Sequence, residues 1–325
     1  MQPCIDGSLR DGGQGSDAAQ DAGTIAEVDD TFSCLETHRG PLHVLTDDYG
    51  YTKYKHKDEF ETRYDARQAN WSFQTFPVVK QAYPVDLRGN DHVCWAGGRI
   101  VGTNPTDAGW RETYSVSNGA GIILGGDLSH VVIDGLRAHN VWDGIRPRSP
   151  DFLIKDVWLS HTRDDCVEND FLHGGTVDDS LFDGCYVAFS ARHDGTSTGP
   201  SDQIWTIQNS LIRLEPMAKP HRYEVYGTPG HGMFFKWMET GNPDSPSPRL
   251  RLVGNVFMME QAAASPASQM GVPANVMECR DNILVWLGEG DFPGDLRGCF
   301  TVTRDRKVWD RARENWIARH PRLQE

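Results

Sequence analysis

A short phrase, apolar-x-Asp-x-apolar, returns at nearly fixed intervals through the middle of this chain and leaves few folds open to it. It reads Val132-Ile-Asp134-Gly-Leu136, then Ile154-Lys-Asp156-Val-Trp158, then Val177-Asp-Asp179-Ser-Leu181, with starts 22 (154 − 132) and 23 (177 − 154) residues apart. It recurs as Ile207-Gln-Asn209-Ser-Leu211, more loosely as Leu252-Val-Gly254-Asn-Val256, and as Cys279-Arg-Asp281-Asn-Ile283. A period of roughly 20 to 50 residues marks a stack of units, each too thin to bury its own apolar face.

Helical units would need longer amphipathic segments with a 3.6 period; these are short alternations broken by Asp, Gly and Asn, the pattern of strands and turns. The chain is therefore expected to be an all-β solenoid, a parallel β-helix with coils about 4.8 Å apart. Regular coil is expected over 92–303, interrupted by loops at 194–203, 215–232 and 239–249. Residues 1–30, rich in Gly, Asp, Ala and Gln, form a loosely ordered segment. Residues 31–91 form an N-terminal cap region, because Tyr49, Tyr54, Tyr64, Trp71 and Tyr83 could cover an open end of the stack. Interleaved with Lys and Arg, the same rings would also suit a sugar-stacking platform. Over 304–325, Val308, Trp309, Ala312, Trp316 and Ile317 mark one face of a helix that caps the last coil.

A net charge of −14 over 325 residues argues against nucleic acid or an anionic membrane as the main partner, since both select for basic faces. No stretch approaches the ~18 to 20 apolar residues of a membrane span, and no charged-then-apolar leader precedes Cys4. A secreted or periplasmic location suits the acidic surface, as does plain solubility; either a leader has been removed or none existed. Of seven cysteines, Cys166 and Cys185 read as buried thiols, and disulfides are plausible between Cys4 and Cys34 and between Cys279 and Cys299. No spacing suggests structural metal.

Nine residues after each phrase's Asp comes a second alignable segment: Asp143-Gly-Ile-Arg-Pro-Arg148, Asp165-Cys-Val-Glu-Asn-Asp170 and Ala188-Phe-Ser-Ala-Arg-His193. Equivalent positions on stacked coils form columns, which would set Asp143 beside Asp165, Arg146 beside Glu168, and Arg148 beside Asp170 and His193. Columns of charge are costly unless wet or paired, so this face points to a binding cleft. Which of Ile145/Val167 and Arg146/Glu168 face the core stays open.

The series Asn140-Val-Trp-Asp143, Asp164-Asp165 and Gly230-His231-Gly232 resembles the motif series of the polygalacturonase family, within the pectin-lyase-like right-handed β-helix superfamily. The resemblance covers about 92–290 and departs from the pattern in one extra residue after Asn140 and in the distant Gly-His-Gly element. It implies an inverting glycoside hydrolase in which Asp164 is the general acid, Asp143 and Asp165 activate water, and His231 supports the site. Arg146, Arg148, Glu168, Asp170, Arg192, His193 and Lys236 would then line the substrate groove. No metal or cofactor is expected for hydrolysis. The alternative is a polysaccharide lyase, in which Arg or His residues abstract a proton and Ca²⁺ on the carboxylates neutralises a uronate. A non-catalytic carbohydrate-binding β-helix is the third reading; oligomeric state is open in all three.

Overall fold

The computed structural model describes residues 32–324 apart from 51, 59, 73–82, 90, 106, 117–118, 126–128, 194–198, 222, 239–240 and 262–269. The expected loose order of residues 1–30, and the place of Cys4, lie outside that set. The described chain is mostly β, and its strands line up in two parallel sheets, of nine and fourteen strands.

The nine-stranded sheet takes one strand from each pass of the chain, running from Leu42–Val44 through Val132–Asp134, Phe152–Lys155, Gly175–Asp178 and Ile204–Gln208 to Val276–Arg280. Its register stacks equivalent residues into one apolar column: Tyr64, Trp95, Ile133, Ile154, Val177, Ile207 and Leu252 lie on successive rungs. All seven are buried. Each such side chain contributes roughly 1.5–3 kcal/mol by leaving water.

The larger sheet has two arms, because strands Trp158–Glu168 and Leu181–Ala191 each turn a corner midway. The first bends at His161, whose φ is +54°, and its halves pair with Arg137–His139 and with Ile145–Pro147.

The repeated phrase marks a turn. Asp156, Asp179, Asn209, Gly254 and Asp281 all have positive φ, as does Gly135 just after Asp134. Asp, Asn and Gly tolerate that left-handed conformation best. The next residue serves a different purpose: Ser180, Ser210, Asn255 and Asn282 are buried and form a polar column linking the rungs. The backbone N–H of Val157 donates to Ser180 Oγ, that of Ser180 to Ser210 Oγ, that of Ser210 to Asn255 Oδ1 and that of Asn255 to Asn282 Oδ1. These side chains satisfy amides that the corner removes from the ladders.

Three features differ from the sequence reading. Ladder pairing starts at Leu42–Val44 and Tyr54–Asp58, well before His92, and Tyr64 and Trp71 fill the interior of those first rungs. The C-terminal helix Arg306–Arg319, capped by Asp305, does not lie over the last coil. Its Trp309 and Trp316 pack on Leu181, Leu211, Met258 and Val285, on the outer side of the larger sheet, so the helix runs back along the stack. Fourteen residues span about 21 Å, or roughly four rungs. Third, Cys34, inside the short helix Ser33–Thr37, pairs with Cys94 of strand Cys94–Ala96, and Cys166 pairs with Cys185 on the adjacent rung. Both Cys166 and Cys185 are buried as expected, but as a disulfide; Cys279–Cys299 forms as anticipated. No helix among the described residues is long and apolar enough to cross a membrane.

Candidate functional site

Register resolves which residues face outward on the second arm. Val85, Ile122, Ile145, Val167, Phe189 and Phe235 form the inner column, all buried. Arg146, Glu168, Ser190 and Lys236, each one position on, therefore share the outer column, with Glu168 registered against Ser190 and Ser190 against Lys236. Strand alternation alone produces this separation.

Asp143 and Asp165 occupy the corner that leads into this arm. The backbone N–H of Gly144 donates to the Asp165 carbonyl at 3.0 Å, and that of Asp165 donates to Asp143 Oδ1 at 3.4 Å. Glycine is required at 144: a Cβ there would stand 2.5 Å from the Cys166 carbonyl and from Leu159 Cδ1. The Cys166–Cys185 bridge ties the rung carrying Asp165 to the next.

Two cations serve this cluster. Lys236 Nζ donates to Asp165 Oδ2 at 2.7 Å. Arg146 bridges Glu168 at 2.8 Å and Asp170 through its other terminal nitrogen. Tyr83, buried, donates to Asp143 Oδ2 at 3.2 Å and receives a long bond from Arg146. Against these two cations stand Asp143, Asp164, Asp165, Glu168 and Asp170, so the site holds more acids than it can neutralise.

The electrostatic result follows. Burial and then Asp165 push the Asp143 carboxyl up to about 7. Burial and then Asp165 also raise Asp164 well above the usual range, and burial with Asp143 and Asp165 does the same to Glu168. Asp165 is raised by burial too, but Lys236 works against that and favours its ionised form. Lys236 itself is raised, because Asp165 and Asp164 outweigh its burial. Asp143 and Asp165 are enclosed, while Asp164 is partly exposed beside Trp110.

The other expected residues fall differently. Asp170 turns to Arg146, and Arg148 lies half-buried with its guanidinium 5.4 Å from the centre of the Phe171 ring. Arg192 and His193 follow the end of strand Leu181–Ala191, Arg192 exposed and His193 partly so. His231 is fully buried, with Nδ1 3.0 Å from the Gly232 carbonyl and Nε2 3.0 Å from that of Gln261. Both ring nitrogens thus face the backbone rather than the carboxylates, and the imidazole anchors the segment leading to Lys236. Tyr83, which the sequence offers only as one ring of a cap or stacking platform, and Trp110, which it does not single out, both join the site from positions far from the aspartates in the chain.

Asp143, Asp165 and Glu168 each offer an oxygen within 4.8 Å of the others, a donor set suited to a hard cation. Such an ion would compete with Lys236 and Arg146 for two of the three carboxylates. No protein-family model, curated protein or solved structure matches this chain.

Proposed function

We propose that this chain is a right-handed parallel β-helix, exported from the cytoplasm, that hydrolyses a polysaccharide with inversion. The observation that carries the reading is the division of labour among the paired aspartates: Asp164 is partly exposed with its proton held by burial and by Asp165, while Asp165 is enclosed and salt-bridged to Lys236. Inversion needs a protonated carboxyl and an ionised one roughly 6.5–9.5 Å apart, with water between. Asp143, Asp165 and Glu168 lie too close to one another to form that pair and Asp170 is bound by Arg146, so Asp164 is the acid of this proposal. Asp165 then deprotonates the water, and Asp143, fixed by Tyr83, helps to orient it. Arg146, Glu168 and Asp170 form one wall of the groove, and His231 positions the Lys236 strand.

The lyase alternative is less well supported, because three of its candidate bases are committed. Lys236 and Arg146 are held protonated by their carboxylates, and His231 is spent on carbonyls. The return of the chain to the same sheet positions, one rung further each time, supports the β-helix. Three disulfides support an oxidising compartment. The test is incubation with neutral, acidic and sulfated polysaccharides, following reducing ends and the ultraviolet absorbance of unsaturated uronates. Reducing ends without absorbance are expected. Absorbance rising in parallel would replace hydrolysis by elimination, and silence across the panel would leave a binding protein.

A further inference from the structure

Away from the carboxylate groove, the outer side of the other arm gathers positive charge. Arg137 donates to the carbonyls of Ala138 (2.7 Å) and Trp158 (3.2 Å) and to Ser160 Oγ (3.0 Å), all neutral acceptors. Its neighbour on one rung is Arg99 and on the other Trp158. The Arg137 guanidinium lies 4.2 Å from the centre of the Trp158 ring, and that of Arg313 lies 5.9 Å from it. Two positions along, His139 Nδ1 meets Ser160 Oγ at 2.9 Å.

The nearby acids are already engaged. Asp183 is bound by Arg213 and Arg313, each at 2.7 Å, and Glu215 by His161 and Arg163, each at 2.7 Å. Burial and then Arg99 pull Arg137 down to about 10, and burial and then His161 and Arg137 pull His139 down to about 4. Burial comes first in both shifts and leaves His139 neutral, a hydrogen-bonding group rather than a charge, while Arg99 and Arg137, adjacent in register, set two like charges side by side. In a chain of net charge −14 this is a local reversal of sign. The C-terminal helix packs on Leu181, Leu211 and Met258, leaving Arg99 exposed and Arg137 and His139 half-buried.

We propose that this face binds an oxyanion, a sulfate or carboxylate group carried on a sugar chain, with Arg137 as the fixed charge, Arg99 and His139 flanking it, and Trp158 as an apolar wall. A guanidinium matches such groups in shape as well as charge. The oxyanion site stands on these contacts alone; only the sugar-borne form of the ligand rests on the polysaccharide reading above.

The test is calorimetric titration of the full chain with sodium sulfate, a sulfated oligosaccharide and its uncharged counterpart, alongside the imidazole NMR signals of His139 and His161. Saturable sulfate binding is expected, with both imidazole signals moving. Arg137→Gln should weaken binding about tenfold, the loss of one charge-assisted contact, and Arg99→Gln several-fold. Asp165→Asn should leave sulfate affinity unchanged, which separates this site from the groove. Absence of saturable binding, unchanged affinity in both arginine variants, or loss of binding in Asp165→Asn overturns the site. If Arg137→Gln does not fold, Arg99→Gln and the His139 signal decide the question. Equal affinity for free sulfate and the sulfated oligosaccharide overturns the sugar-borne ligand.

Discussion

Lys236 Nζ lies 2.7 Å from Asp165 Oδ2, a contact between residues 71 positions apart that favours the ionised form of Asp165. Asp165 is fully enclosed, so its ionised form depends on this partner. Without it, burial would favour the neutral form at Asp165, as it does at Asp143, Asp164 and Glu168.

Replacing Lys236 by Met should therefore cost stability and activity together. The Lys236 side chain keeps 28% exposure, so the loss should be below that of a fully buried pair, about 2 kcal/mol. Urea unfolding of Lys236→Met, Asp165→Asn and the double variant checks the coupling. Additive losses would show that the two groups act independently.

Asp165→Asn should abolish activity while the fold persists. Asparagine keeps the size of the side chain but cannot take a proton from water, and loss of a general base typically costs roughly 10² to 10⁴ in rate. Reducing-end release beside a circular dichroism spectrum checks this; an unchanged rate would remove Asp165 from the site.

Asp143 predicts how stability varies with pH. Its folded-state carboxyl titrates near 7, above the ordinary value of 3.8. The unfolded chain thus releases its proton first, and the stability this group contributes, fully present below about pH 4, is lost as pH rises to about 7. Asp143→Asn should flatten that slope and stabilise the protein at pH 8, by on the order of 1 kcal/mol or more, but not at pH 4. Unfolding free energies across pH 4–8 are the measurement. A slope identical to that of the unmodified chain would mean Asp143 titrates normally.

The Cys166–Cys185 bridge closes a segment of 19 residues beside the aspartates. A loop of that size is worth roughly 3 kcal/mol through the entropy of the unfolded chain. Cys166→Ala/Cys185→Ala should lose about that much in urea midpoint analysis. Because both sulfurs are buried, the bridge should resist dithiothreitol until the chain unfolds.

Trp316 joins the C-terminal helix to the stack, with its indole N–H donating to the Asp179 carbonyl at 3.0 Å. Trp316→Ala should cost about 3–5 kcal/mol, as for other large core truncations. Protease cleavage near Arg319 should accelerate in parallel, since Arg319 pairs with Asp179 only while the helix is docked.

The repeat was legible in the sequence because its turn residue must be Asp, Asn or Gly, a requirement that a left-handed backbone imposes on composition. From that follow the parallel strands, the adjacency of Asp143 and Asp165 and the pairing of Arg146 with Glu168, all consequences of period and register. What followed from folding alone was everything that crosses between coils or comes from outside the repeat. Tyr83 and Lys236 reach the aspartates over long separations, His231 turns to backbone carbonyls, and Cys34 finds Cys94. The terminal helix runs along the flank of the stack, since its apolar face fits Leu181, Leu211 and Val285 on the outer side of the sheet. Periodicity specifies which residues share a rung; which distant side chains then meet is decided by burial and charge once the rungs are stacked.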